Sequence, residues 1–191
     1  MSDITALRAE VGACRLCAAY LPLGPRPVVQ LGAGARVLIT SQAPGTKAHA
    51  SGIPWTDASG DRLRGWLGMT AEEFYDPDKL AIVPMGFCYP GAVKGGGDLP
   101  PRPECAPLWH ARLLAAMPKV RLRLLIGIHA QAAYLPRRLP MTEAVRRAAE
   151  FLPIFPLPHP SWRVVGWMRR NPWFEEETLP LLRSEVRRAL G

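Results

Sequence analysis

The residues of this chain best suited to bind a metal are its four cysteines, which come as a close pair and a distant, wider pair. Two residues separate Cys14 from Cys17, 70 residues follow, and 16 residues separate Cys88 from Cys105. Folded metal sites draw ligands together from separate segments in this way, and four thiolates suit either a [4Fe–4S] cluster or zinc. The spacing leaves both groups open, and four unrelated buried thiols stay open as a simpler explanation.

Disulfide bonds are the weaker interpretation of these cysteines. The chain starts with MSDITALRAE, which is polar and charged and does not resemble a secretory signal peptide. We therefore expect a protein of the reducing cytoplasm, where thiols stay free to bind metal.

Two further segments carry side chains that could do chemistry. The first reads SQAPGTKAHASGIPW from Ser41, where Pro44-Gly45 predicts a tight turn with backbone N–H groups in a crevice, followed by Trp55. The second reads HPSWRVVGWMRRNPW and begins with His159. After this histidine come Ser161 and arginines interleaved with aromatic residues, namely Arg163, Trp167, Arg169 and Arg170. That mixture suits phosphate contacts and base stacking.

Apolar runs bounded by Gly or Pro predict the strands that position these segments, at Arg36–Ser41, Leu80–Met85, Leu122–Gly127 and Pro153–Leu157. Helical spacing predicts helices at Ile4–Leu21, Asp61–Leu67, Cys105–Met117, Ala130–Leu135 with Met141–Glu150, and Glu175–Leu190. Buried strands that alternate with helices indicate an α/β fold with a mainly parallel sheet. Because ligands bind at the carboxyl ends of such strands, the loops at 42–57, 86–103 and 159–172 should meet there.

Composition bounds the class of protein. The chain has 191 residues and 48% hydrophobic residues, which fits one domain over 1–191 and provides no run long enough to cross a membrane. Only four of its 24 basic residues are lysine, and the net charge is +8. An arginine-rich surface suits a polyanion such as nucleic acid, although an arginine-rich genome would produce the same excess.

Taken in order, these motifs resemble the uracil-DNA glycosylase superfamily, and most closely its iron–sulfur type, called family four. Cys14, Cys17, Cys88 and Cys105 match the four cluster ligands of that type in order and approximate spacing. The SQAPG and GIPW segments are similar to its first motif, and HPS at 159–161 is similar to its last. Leu125-Ile126-Gly127 with Ala130 is similar to its third strand and the helix that follows.

The resemblance implies a fold and a reaction. The fold is a three-layer α/β/α arrangement around a four-stranded parallel sheet, with a face that binds DNA at the strand ends. The reaction takes uracil out of the DNA stack and hydrolyses its N-glycosidic bond, leaving an abasic site for base excision repair. We expect uracil-containing DNA as the partner, no membrane, and a monomer in the cytoplasm at the nucleoid.

The same resemblance implies roles for individual residues. His159 donates to the uracil carbonyl oxygen, Trp55 stacks on the base, and backbone groups of Gln42, Ala43 and Gly45 line the pocket. Ser161 binds a phosphate beside the flipped base. Segment 162–170 enters the duplex, with DNA contacts from Arg163, Arg169 and Arg170. The four cysteines hold a [4Fe–4S] cluster, with zinc as the less favoured alternative. The cluster shapes the 86–103 loop and takes no part in the chemistry.

Several positions depart from the pattern of the family. Its first-motif acidic residues are replaced here by Gln42, Ala48 and His49, and its uracil-reading asparagine falls at or near Pro84. Another group must therefore position water, and the candidates are Asp57, Gln42 and His49, with Asp57 first.

Simpler roles stay open for single residues, because His159 can cap its strand and Trp55 can fill a core. Two other functions also stay open. One is a protein that binds damaged DNA or abasic sites without catalysis, and the other is a glycosylase for a different deaminated base such as hypoxanthine.

Overall fold

In the computed structural model, which describes residues 3–191, four parallel strands form one sheet in the order β2-β1-β3-β4. The strands are β1 (Val37–Thr40), β2 (Leu80–Ile82), β3 (Leu122–Ile126) and β4 (Ile154–Leu157). Every strand lies within the segment that its apolar run predicts. The two central strands are almost wholly buried, which is why they read as continuous apolar runs.

Helices cover both faces of this sheet, so the three-layer α/β/α fold is confirmed. They are α1 (Ile4–Ala13), α2 (Thr46–Ser51), α3 (Ala58–Leu67), α4 (Ala71–Tyr75), α5 (Cys105–Ala115), α6 (Ile128–Tyr134), α7 (Met141–Arg146), α8 (Val164–Arg170) and α9 (Leu179–Leu190). Alternate residues of β1 pack into two separate cores. Ile39 packs with Leu63 of α3 and Leu182 of α9, while Leu38 packs with Leu7 of α1 and Leu113 of α5.

The N-terminal helix is shorter than its predicted range of Ile4–Leu21. It ends at Ala13, and Cys14 takes an extended conformation directly after it. Leu7 and Val11 are buried in the core, but Leu16 is 60% exposed and does not continue the apolar stripe. The prediction that Cys14 and Cys17 lie on this helix is therefore wrong, and both follow it.

Two segments predicted as loops contain helices. α2 lies within the 42–57 segment, and α8 occupies half of the 159–172 segment. Val164, Trp167 and Met168 have the i, i+3, i+4 spacing of one helical face, and all three pack against the core. At the C-terminus, a π-helical turn over Phe174–Thr178 leads into α9. Within residues 3–191, no helix has the length and apolar character needed to span a membrane.

Candidate active site

His159 lies just beyond the carboxyl end of β4 and is positioned by contacts on both sides. The buried side chain of Gln131 donates from Nε2 to the carbonyl oxygen of Leu157 at 2.8 Å, which anchors the end of the strand. Arg62 of α3 donates from Nη1 to the carbonyl oxygen of Pro160 at 2.8 Å. His159 thus lies between two residues whose backbone carbonyls are fixed by hydrogen bonds, Leu157 to α6 and Pro160 to α3.

The imidazole of His159 packs against the indole of Trp55, with ring centroids 5.5 Å apart and planes inclined by 33°. Burial lowers the pKa of His159 below the ordinary value, because a low-polarity environment penalises the imidazolium, and the charge of Asp57 opposes this in part. His159 is therefore a neutral imidazole at neutral pH. A neutral ring has one N–H, which can donate to a carbonyl oxygen.

Trp55 is held in a backbone conformation that bulky residues rarely adopt. Its φ angle is 59°, in the left-handed region. Its carbonyl oxygen accepts hydrogen bonds from the Tyr75 hydroxyl at 3.0 Å and from Nη1 of Arg64 at 3.2 Å. Strained conformations persist where surrounding contacts enforce them, and they cluster at functional sites. The half-buried indole forms part of a cleft wall.

A cleft of about 580 Å³ opens at the carboxyl edge of the sheet. Such a volume is typical of small-molecule pockets. Eight of the predicted site residues line it, namely Gln42, Ala43, Gly45, Trp55, Asp57, His159, Ser161 and Arg163. The structure therefore brings the first and last motifs together, although more than 100 residues of chain separate Gln42 from His159.

The remaining three predicted residues lie outside the lining of this cleft. His49 is on α2, where its ring faces Tyr89 at 6.2 Å and its Nδ1 atom is buried without a partner within residues 3–191. Arg169 and Arg170 are exposed in the last turn of α8. These two arginines are available to a large ligand that extends beyond the cleft.

The residues that are candidates for positioning water differ in whether their side chains already form hydrogen bonds within the protein. Asp57 caps α3, because its Oδ1 accepts from the backbone N–H of Gly60 at 3.0 Å. The backbone carbonyl of Gln42 accepts from the N–H of Gly86 at 2.9 Å, which ties the first loop to the segment that follows β2. The side-chain amide of Gln42 makes no hydrogen bond to any residue in 3–191, so it is free to contact a ligand.

Pro84 lines the cleft where the family pattern predicts an asparagine, and its carbonyl oxygen is occupied. Nε2 of the buried His110 lies 2.9 Å from this oxygen, and Nδ1 lies 2.5 Å from the hydroxyl of Tyr134. Burial lowers the pKa of His110. The ring is therefore neutral, with Nε2–H donating to Pro84 and Nδ1 accepting from Tyr134.

Two cleft residues were missed by the motif comparison. Trp162 lines the cleft and is 75% exposed, while Trp167 turns inward and donates from Nε1 to Thr142 at 2.8 Å. The helical spacing of Val164, Trp167 and Met168 would have separated these two tryptophans. The second missed residue is Asp98, which lies in the 86–103 loop expected at this edge of the sheet, although no motif singled out its carboxylate.

All four cysteines are free thiols, and they line one pocket together with apolar side chains that include Phe87 and Trp109. The backbone N–H of Phe87 points at Sγ of Cys105, 3.4 Å away. Burial raises the pKa of Cys88 to about 11 and that of Cys105 to about 12, so these thiols ionise only if a cation replaces their protons.

A polar atom in this pocket also lacks a partner. Nε of Arg102 is buried and donates to no acceptor within residues 3–191. A donor beside four thiols fits a bound iron–sulfur cluster, whose sulfur atoms accept hydrogen bonds. In the part of the chain described, no group of three or more His, Cys, Asp or Glu side chains is arranged to hold a metal ion. A cubane distributes its ligands over four iron atoms and so needs thiols farther apart than one ion does.

One comparison with known proteins bears on this site. The family model described as uracil DNA glycosylase superfamily matches residues 29–183. The matched range contains all four strands, the two distal cysteines and every cleft-lining residue except Val28. It begins after Cys14 and Cys17. The match covers most of the chain and agrees with the parallel sheet and with the cleft at its carboxyl edge. This protein therefore belongs to the uracil-DNA glycosylase superfamily, a family of DNA glycosylases.

Proposed function

We propose that the protein removes uracil from DNA by hydrolysing the N-glycosidic bond, which leaves an abasic site as the first step of base excision repair. The observation that carries this proposal is the pairing of a neutral His159 with Trp55 in a cleft large enough for a flipped nucleotide. A glycosylase must extract its target base from the stack, and a base needs an aromatic face and hydrogen-bond donors to stay there.

Each of these groups has a distinct role in the reaction. As the C1′–N1 bond breaks, its electron pair moves onto the departing uracil, and the N–H of His159 stabilises the charge that develops on a carbonyl oxygen. Trp55 stacks on the base, a contact worth about 1–3 kcal/mol per base. The free amide of Gln42 offers one donor and one acceptor, which complement a carbonyl and an N–H at the uracil edge.

The proposed path of DNA runs over the carboxyl edge of the sheet. Ser161 and Arg163 are at the rim of the cleft and serve as phosphate contacts, and Arg169 with Arg170 extends the basic surface along α8. Trp162 is the aromatic residue best exposed to enter the duplex beside the flipped base. The protein is expected to act as a monomer.

Within the superfamily, we place the protein with the iron–sulfur type. Cys14, Cys17, Cys88 and Cys105 would hold a [4Fe–4S] cluster, whose contribution is to brace the chain between the two distal cysteines. The supporting observations are the shared pocket, the N–H directed at Cys105, and the unpaired donor of Arg102. Zinc is the alternative. A brown protein with an absorption band at about 400 nm would identify the bound group as an iron–sulfur cluster.

Uracil release is tested with a single-stranded and a double-stranded oligonucleotide that carry one uracil, followed by alkali, which cleaves the strand at abasic sites. Wild type is expected to produce scission, and His159→Ala is expected to be slower by about 100-fold or more under single-turnover conditions. His129→Ala is the matched control, because His129 lies on α6 and outside the cleft lining.

Parallel oligonucleotides with hypoxanthine or a preformed abasic site separate the other functions. Scission only at hypoxanthine would replace uracil as the substrate. Tight retention of abasic DNA without scission of any substrate would show a binding protein. Equal rates for His159→Ala and wild type would contradict the role of His159.

A further inference from the structure

The glycine-rich loop between β2 and α5 is folded into a closed hairpin and not an extended connection. The N–H of Leu99 donates to the carbonyl of Gly91 at 2.8 Å, and the N–H of Val93 donates to the carbonyl of Gly97 at 2.8 Å. Ala92 and Asp98 are bridge partners across the two arms. The turn consists of Gly95, Gly96 and Gly97, whose φ angles of 101°, 107° and 98° are open only to glycine without strain.

This hairpin projects across the mouth of the cleft and approaches the loops on both sides. A Cβ atom on Gly45, in the first motif, would lie 3.7 Å from Oδ2 of Asp98. A Cβ atom on Gly97 would lie 3.7 Å from Nη1 of Arg163, in the last motif. The hairpin therefore brings the Asp98 carboxylate to Gly45 of the first-motif loop. The family pattern has carboxylates in this loop, and this chain has Gln42, Ala48 and His49 at those positions.

The carboxylate of Asp98 is also uncommitted. Within residues 3–191 it forms no ion pair and no side-chain hydrogen bond. Partial burial and the nearby charge of Asp57 raise the pKa of Asp98. Among the described residues 3–191, Asp57 is the only other carboxylate in the cleft lining, and its Oδ1 already caps α3. Of the two, Asp98 is the one whose oxygens are both free to bind water or a developing cation.

We propose that Asp98 supplies the catalytic carboxylate that the first motif of this chain lacks. The inference rests on the proposed glycosylase function. In the step concerned, the C1′–N1 bond breaks and its electron pair leaves with the base, so C1′ becomes electron-deficient. A water molecule held by Asp98 then attacks C1′ and transfers a proton to the carboxylate, which releases it to solvent. The products are the abasic sugar, with its new hydroxyl at C1′, and the base anion, which takes up a proton from solvent to give the free base.

The test compares Asp98→Asn with wild type on the uracil oligonucleotide. The variant keeps the shape of the side chain and removes its charge. The single-turnover rate is expected to fall about 100-fold or more, which is the usual range for loss of a general base. The Kd for DNA is expected to stay the same or to decrease, because a carboxylate beside phosphates opposes binding. A residue that served only to bind DNA would change Kd in the opposite direction and leave the rate intact.

Two further variants complete the experiment. Glu72→Gln neutralises an exposed carboxylate on α4, outside the cleft lining, and should match wild type in rate and Kd. Asp57→Asn keeps the cap of α3, because asparagine caps a helix as well as aspartate does, and it should lose less rate than Asp98→Asn. A normal rate for Asp98→Asn, or a larger loss for Asp57→Asn, overturns the role of Asp98 while uracil release by wild type still supports the function. No release by wild type overturns the function itself.

Discussion

The carbonyl oxygen of Trp55 lies so close to Gly60 that a Cβ atom there would approach it to 1.8 Å. Gly60 is buried in the first turn of α3, and its own N–H donates to Asp57. The absence of a side chain at this position therefore lets the helix start directly beneath the strained Trp55. The aromatic wall of the cleft depends on a glycine that does not line the cleft.

A matched pair of substitutions on α3 tests this dependence. Gly60→Ala must displace Trp55, so we expect at least about a tenfold loss of uracil release and a lower melting temperature. Gly65 lies on the same helix, and no atom of residues 3–191 is within 4 Å of the position that a Cβ atom would take there. The substitution Gly65→Ala is therefore the control. It should keep full activity and gain up to about 1 kcal/mol, because alanine is the better helix former. Thermal melts and single-turnover rates of both variants check the expectation, and equal behaviour of the two would contradict it.

The proposed DNA path predicts a change in salt dependence. Arg163→Ala removes one phosphate contact at the rim of the cleft, so the slope of log Kd against log salt concentration should fall by about 0.7–0.9. Arg187→Ala is the control, since Arg187 is in the last turn of α9, whose final residues lie near Arg36 at the opposite edge of the sheet. Fluorescence anisotropy at several salt concentrations measures both slopes. If Arg163→Ala and wild type had the same slope, Arg163 would not be a phosphate contact.

The cysteine pocket predicts a loss of both colour and stability when one ligand is removed. Cys17→Ser should lose the absorption band at about 400 nm and most of its bound iron. Its melting temperature should also be lower, because metal binding contributes to the folding free energy. Ala18→Ser adds a hydroxyl to the neighbouring exposed position and should keep all three properties. Metal analysis of anaerobically purified protein distinguishes iron from zinc. Unchanged metal content in Cys17→Ser would show that these thiols are not its ligands.

The buried His110 predicts that mild acid destabilises the protein. Its pKa is lowered in the folded state, so between that value and about 6.5 the unfolded chain binds a proton that the folded chain does not. Stability contributed by the neutral ring is therefore complete above about pH 6.5 and is lost as the pH falls below it. Each kcal/mol lost should lower the melting temperature by about 2–4 °C.

The control for this pH effect is His110→Gln, which keeps a donor and an acceptor but does not titrate. Its melting temperature should depend less on pH than that of wild type between about pH 7.5 and 5.5. His159 adds a slope in the same direction to both proteins, because its pKa is lowered too. Parallel pH profiles for the two proteins would assign the effect to other groups.

Local sequence pattern determined much of this protein. Each strand is a short apolar run between Gly or Pro residues, and each appears within its expected range because burial on both faces of a sheet requires such a run. The loops at the carboxyl ends of the strands meet as the parallel topology demands, which places Gln42 and His159 in one cleft. The strands follow from the short-range pattern of apolar residues. The cleft follows from the rule that the carboxyl ends of parallel strands lie at one edge of a sheet, so no side-chain coordinates are needed for either conclusion.

Other features were decided only by the tertiary structure. Trp167 turns inward because α8 packs the face that carries it on the core, whereas Trp162 precedes this helix and is exposed. A segment interpreted as a loop does not show which residues pack in this way. α1 ends at Ala13 because the apolar contact that would continue it is missing at Leu16. Asp98 reaches the cleft through a hairpin closed by backbone hydrogen bonds between residues several positions apart. Such contacts depend on how the folded chain brings distant residues together. The cysteine spacing, the charge and the HPS motif do not predict them.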